Sequence, residues 1–196
     1  MNSRDFWGRL ALLTALVQQA PTRCLGRTAI VKMVYLLQVV RGVPLGYDFR
    51  LYTYGPFDSE LLGDLEYAQA LKAVECKTVL YSAGYGYDVT PGPRADAVKS
   101  LASRWLAEYQ TSINWVVEQF GGWTASQLEL FSTIVYVDRE FAAQGQSDVS
   151  VEEMVHRVRE VKPHFSEAQV EDLIQQAQEK ACVSTIVPSQ PRRGRQ

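Results

Sequence analysis

The stretch TAIVKMVYLLQVVR, from Thr28 to Arg41, constrains the fold more than any other. Ile30, Val31, Met33, Val34, Tyr35, Leu36, Leu37, Val39 and Val40 cover nearly every side of a helical wheel. A helix that is apolar all round has to be buried all round, because any side left in water would expose several large side chains. Other elements must therefore enclose it, and it is expected to be the central core helix. Lys32 and Gln38 are its main polar exceptions, and Gly42 supplies a natural C-terminal stop.

The flanking sequence supplies candidates for that enclosure. Phe6, Leu10, Leu13 and Val17 recur at three- and four-residue steps, which predicts an amphipathic helix over 5–19 ended by Pro21. After Gly42, Tyr47, Phe49, Leu51 and Thr53 alternate with Asp48, Arg50, Tyr52 and Tyr54, a strand pattern whose second face is aromatic rather than polar. Gly55-Pro56 is expected to end that strand. Asp58 or Ser59 then caps a helix that has Glu60 in its first turn and Leu61, Leu62, Leu65, Ala68 and Leu71 on its apolar face. AVECKTVLYSA and YGYDVTP predict a hairpin around Gly84 and Gly86, closed by Pro91 and Pro93.

Helices are expected to resume at about Arg94–Phe120 and again over Ala125–Ala143, where Thr124 and Gln127 form a capping box. Two more helices follow, with Ser150/Glu153 and Ser166/Gln169 at their starts. The Pro, Ser and Arg content from Ser184 onward predicts a disordered basic tail, 184–196, carrying Arg192, Arg193 and Arg195.

Three helices followed by a two-stranded wing is the plan of a winged-helix domain, and the strand near 47–54 is expected to complete its sheet. The fold class is thus mainly α with a small antiparallel sheet (α+β): a winged-helix-like N-terminal core, about 5–93, plus a C-terminal helical bundle, about 94–183. At 196 residues with 46% apolar and 21% charged side chains, a single globular domain over 1–183 accommodates both parts. No apolar run approaches the roughly 18 residues that span a bilayer. The N-terminal stretch resembles a signal peptide only superficially: Asp5 and Arg9 interrupt it, and Gln18 and Gln19 stand where a small-residue cleavage site would be. A cytoplasmic location without membrane attachment is expected.

Chemistry-bearing patterns are absent from the sequence. Cys24, Cys76 and Cys182 are odd in number, far apart and form no CxxC pair, and His156 and His164 have no metal-ligand spacing. Glu152-Glu153 and Glu171-Asp172 are adjacent on helices and point apart. GYGYDVTPG does not open a helix in a βαβ unit, and LGRTAIVK lacks the phosphate-loop glycines. A non-enzyme without cofactor or metal is expected.

One short stretch, LYTYGPFDSELLGDL, joins strand to helix and invites two readings. In the first, Tyr52, Tyr54 and Phe57 form an aromatic docking patch rimmed by Asp58, Glu60 and Asp64, since tyrosine buries a large area at little rotamer cost. In the second, Gly55 and Pro56 make a tight turn while Tyr54 and Phe57 staple strand to helix. A hairpin cluster of Tyr81, Tyr85 and Tyr87 would enlarge the aromatic surface if it lay close by. Nucleic-acid binding is the competing function. It would use Arg23, Arg27 and Lys32, but the third helix, DSELLGDLEYAQALKA, carries four acids against one lysine and is the wrong sign for phosphate.

LGRTAIVKMVYLLQ, LGYDFRLYTYGPFDSELLGDL, WTASQLELFSTIVYV and VREVKPHFSEAQVEDLI resemble the YwgA-like family of bacterial proteins, which is similar in turn to the Panacea, or SocA-like, antitoxin domain. The resemblance spans roughly residues 6–180. Its most specific part is the aromatic strand leading into Tyr54-Gly55-Pro56-Phe57, followed by Ser59, Glu60 and Leu61. It implies a compact, mostly helical domain without known catalysis, acting as an antitoxin or adaptor on a toxin, a defence-system subunit or a chaperone or protease. The expected function is therefore a protein-interaction module of a bacterial toxin–antitoxin or phage-defence system. The alternative is a winged-helix nucleic-acid-binding protein or regulator.

Overall fold

The computed structural model describes residues 3–81 and 84–187; Arg192, Arg193 and Arg195, and the rest of the expected tail beyond Val187, lie outside the described residues. The chain is mainly helical with small antiparallel sheets. In order, it runs α1 (Ser3–Gln19), β1 (Leu25–Gly26), α2 (Arg27–Val39), β2 (Arg50–Tyr52), β3 (Gly55–Phe57), α3 (Ser59–Ala70), β4 (Val74–Tyr81), β5 (Gly84–Pro91), α4 (Ala95–Ser100), α5 (Ser103–Phe120), α6 (Ala125–Ala143), α7 (Val151–Val161) and α8 (Glu167–Glu179). It divides into two compact units, Met1–Leu128 and Glu129–Gln196. The division falls well after residue 93, where the change from winged-helix-like part to bundle was expected. Helices α4 and α5 pack on α1, inside the first unit.

In the first unit, α2 is enclosed as its composition requires: every residue from Ala29 to Leu37 is buried, with α1, α5 and β3 packed around it. Even Lys32 is only 2% exposed. The helix closes at Gly42, whose φ of +65° suits a residue without Cβ, and Val43 N–H returns to Leu37 O at 3.1 Å. The segment expected as one helix from Arg94 to Phe120 is two, broken at Leu101–Ala102 where Leu101 N–H and Ala102 N–H turn back to Val98 O and Lys99 O.

The sheet departs from expectation in one respect. Its order is β1-β5-β4, all antiparallel, with Leu25 and Cys76 flanking the fully buried Val89 from either side. The third strand is thus the two-residue Leu25–Gly26. Residues 50–52, expected to fill that place, pair instead with 55–57 in a separate hairpin.

The second unit is held by α7 and α8 packed together and by two buried polar ties. Lys162 Nζ donates to Glu129 Oε1 at 2.6 Å. Asp138, fully buried, accepts from the Ser184 and Thr185 backbone N–H groups at 3.0 and 2.8 Å and from the Thr185 hydroxyl at 2.6 Å. Ile186 then bridges Val149. Residues 184–187, assigned from composition to the tail, are therefore anchored, because a buried carboxylate needs donors and this segment's backbone supplies them.

Candidate functional site

The corner is a hairpin rather than a strand with a stop. Thr53 and Tyr54 form its turn, Tyr52 faces Gly55, and Leu51 faces Pro56. Gly55 has φ +86°, a conformation that side chains with Cβ rarely adopt. Pro56 was expected to end the strand, yet it pairs within the ladder. In a two-stranded hairpin the missing donor is tolerated if it faces away from the partner. The Pro56 carbonyl is buried and accepts from Lys32 Nζ at 2.7 Å, which ties the corner to the core helix. Phe57 stacks edge-on against Tyr52, ring centroids 5.6 Å apart. Asp58 caps α3: one carboxylate oxygen accepts from Glu60 N–H at 2.7 Å and the other from Asp48 N–H at 2.6 Å.

Two of the acids expected to rim the patch are committed elsewhere. Glu60 Oε1 lies 2.7 Å from Arg9 Nη2, and Asp64 Oδ2 lies 2.9 Å from Arg9 Nε. Asp64 is only 6% exposed and also accepts from the Tyr47 hydroxyl at 2.7 Å, while the Arg9 guanidinium lies over the Tyr47 ring at 4.8 Å. Burial pushes the Asp64 carboxyl above the ordinary carboxylate range, against the pull of Tyr47 and Arg9. Burial and the neighbouring Asp64 likewise push the Tyr47 phenol up, so it stays a donor at neutral pH. For Arg9, burial alone would favour loss of the proton, but Glu60, Tyr47 and Asp64 outweigh it and hold the guanidinium charged. Asp64 is thus part of a buried ion-pair junction between α1 and α3. The sequence set Asp64 on the rim of the patch and gave no sign of the arginine 55 positions upstream.

Tyr52 and Tyr54 do the opposite and stand in solvent, 62% and 69% exposed. Beneath them lies a pocket of about 280 Å3. Val31, Phe57 and Leu62 give it apolar walls, and its charged lining residues are Arg27 and Lys32. The residues read as a protein-binding patch and two of those read as a nucleic-acid alternative therefore share one site. Arg23 does not line it; it lies exposed at the end of the turn after α1, with φ 51°.

Arg27 links the pocket to the β4–β5 hairpin. Its guanidinium lies 3.9 Å above the Tyr87 ring, and Nη2 reaches Cys76 Sγ at 3.9 Å. Tyr87 faces Thr78 and Tyr85 faces Leu80 in the register, so alternation puts all four on one face of the hairpin. Leu80 and Tyr85 are largely exposed. Of the expected hairpin cluster, the side chain of Tyr81 lies outside the described residues.

The pocket can hold charge and stack rings. No carboxylate, histidine or cysteine is among its lining residues. Among the described residues, no three His, Cys, Asp or Glu side chains are grouped to hold a metal, and no helix is long and apolar enough to cross a membrane. Compared with known proteins, the chain matches no protein-family model and no curated protein.

Proposed function

We propose that this chain is a non-enzymatic protein-interaction module, antitoxin- or adaptor-like, belonging to a bacterial toxin–antitoxin or phage-defence system in the cytoplasm, and that it docks its partner at the Tyr52–Phe57 corner. The observation carrying this reading is that Tyr52 and Tyr54 project into solvent over an apolar pocket. Tyrosines clustered beside a hydrophobic recess are favoured interface anchors, because each buries a large rigid surface on contact. The resemblance of this same stretch to YwgA-like and Panacea-type domains points the same way.

The test is capture of partners from host lysate on the tagged protein, with nuclease present, comparing wild type with the double variant Tyr52→Ala/Tyr54→Ala. A stoichiometric protein held by wild type and lost by the variant supports the reading, provided thermal unfolding is unchanged. Equal capture by both would place the interface elsewhere.

A second reading, the winged-helix nucleic-acid binder, has one observation in its favour. The β4–β5 hairpin follows the third long helix, the place a wing would take, and pairs with the short strand before α2. Against it, α3 exposes Glu60 and Glu66 and no basic side chain. Salt-dependent retardation of DNA or RNA would support it; no retardation at low salt would remove it.

A further inference from the structure

Resting on the reading of the corner as a docking surface, we infer that its occupant is a peptide segment of the partner that places an apolar side chain next to a carboxylate. The sequence pattern invited the opposite sign, an acidic rim facing a basic partner. In the structure none of these acids lines the pocket. Asp64 is buried against Arg9 and Tyr47, Glu60 is bound to Arg9, and Asp58 spends both oxygens on backbone N–H groups. The charged side chains lining the pocket are Arg27 and Lys32, both cationic; Lys32 is 2% exposed and donates to the Pro56 carbonyl, so Arg27 is the cation that a docked ligand meets.

Three features make this a place for an anion. The Arg27 guanidinium is stacked on Tyr87, and among the described residues its one hydrogen bond is a long contact from Nη2 to Cys76 Sγ. A guanidinium has five N–H donors suited to a carboxylate, so most of that capacity is unused. Secondly, Arg27 is the first residue of α2, a helix of 13 residues whose N-terminus takes no side-chain cap. The positive end of that helix therefore adds to the same potential. Thirdly, the pocket walls exclude water from one side of the site, which strengthens any charge pairing made there.

The apolar half of the ligand follows from volume and lining. A pocket of about 280 Å3 falls just below the roughly 300–1,000 Å3 of pockets that hold whole small molecules, and suits an anchoring side chain. Val31, Phe57 and Leu62 would receive that side chain, with Tyr52 and Tyr54 closing over it. A nucleic-acid strand is less favoured, since the neighbouring α3 presents carboxylates to its phosphates.

The experiment is selection of random short peptides displayed on phage against the full chain, followed by fluorescence anisotropy of the enriched peptides. Enrichment of an aromatic or branched apolar residue adjacent to Asp or Glu is expected. Affinity should fall about tenfold or more with Arg27→Glu and with Arg27→Gln. Replacing the peptide acid by lysine should weaken binding to wild type and restore it to Arg27→Glu. The Gln variant guards against a folding defect, and thermal unfolding of both variants checks it. Enrichment of Lys- or Arg-rich peptides that need Tyr54 but ignore Arg27 would overturn the inference while leaving the corner as a docking surface. No enrichment of any peptide sensitive to Tyr54→Ala would overturn both. A labelled oligonucleotide that displaces the peptides through Arg27 would reassign the cations to phosphate.

Discussion

Arg9 Nε and Asp64 Oδ2 meet at 2.9 Å in a buried junction that fastens α1 to α3. Removing one partner of such a pair leaves the other charged and buried, which costs more than the pair contributes. Asp64→Asn should destabilise the chain by about 2–4 kcal/mol near neutral pH, less than a full pair loss because Glu60 remains. The pH dependence has a definite sign. Burial raises the folded-state pKa of Asp64 above its unfolded value near 3.8, so over that window the folded chain binds more protons than the unfolded one. Its contribution to stability therefore grows as pH falls from above the folded pKa towards the unfolded one. In urea titrations, the advantage of wild type over Asp64→Asn should widen on acidification. A narrowing advantage would show that Arg9 and Tyr47 outweigh burial and lower the pKa.

The bond from Lys32 to the Pro56 carbonyl leads to a local prediction. Lys32→Met keeps an unbranched apolar stem in the core but removes the donor, leaving a buried carbonyl at a cost of about 1–3 kcal/mol. The effect should concentrate at the corner. Hydrogen exchange at the Phe57 amide should accelerate, while amides in the middle of α5 should change only as far as global stability does. Equal protection at Phe57 in both proteins would mean that the β2–β3 hairpin holds its place without Lys32.

How much of this was legible in the sequence depends on the range of the interaction. The buried α2 followed from nine apolar residues on one wheel. The helix starts at Ser150 and Ser166 followed from capping pairs three residues apart, and both side chains do accept the N3 amide. These signals are local. The two-residue strand Leu25–Gly26 has no periodicity of its own, and only its pairing with Val89 and Asp88 defines it. The break at Leu101–Ala102 carries neither Gly nor Pro and was invisible for the same reason. At the site, alternation set Tyr52 opposite Leu51 but left open whether Tyr54 is exposed or staples strand to helix; it lies in the turn, beyond the strand. Their charged surroundings were not legible. Lys32 stood out as a lysine in an apolar helix, but that it meets Pro56, and that Arg9 takes up Glu60 and Asp64, depends on contacts 24 to 55 residues apart.

Two glycines on different helices should respond with opposite signs to the same substitution. A Cβ on Gly8 would lie 2.8 Å from the ring of the buried Trp105, closer than real contacts allow. A Cβ on Gly63, on an exposed side of α3, would meet nothing within 4 Å. Alanine improves helix propensity by about 1 kcal/mol at either position. At Gly8 this gain is offset by overpacking worth about 1–3 kcal/mol, because an indole held in the core cannot rotate away freely. Gly8→Ala should lower the midpoint of thermal unfolding and alter the near-ultraviolet dichroism of Trp105. Gly63→Ala should raise the midpoint with that spectrum unchanged. A stabilised Gly8→Ala would show that the α1–α5 contact has slack.

Asp138 is wholly buried in the second unit and ties its closing segment down. Its two oxygens serve the Ser184 and Thr185 amides and the Thr185 hydroxyl, and Arg139 pairs with it from the adjacent helical position. All of these donors lose their acceptor in Asp138→Ala, and Thr185 is almost wholly buried. Unsatisfied buried amides cost about 1–3 kcal/mol each, so the variant should lose about 2–4 kcal/mol if part of the segment moves out to water. That escape is itself measurable. Limited proteolysis should cut Asp138→Ala between Cys182 and Val187 under conditions where wild type resists. Asp138→Asn keeps one carbonyl acceptor and should fall between the two. If the segment stays protected in Asp138→Ala, then the Val149–Ile186 bridge and the burial of Ile186 suffice to hold it, and the carboxylate contributes geometry rather than attachment.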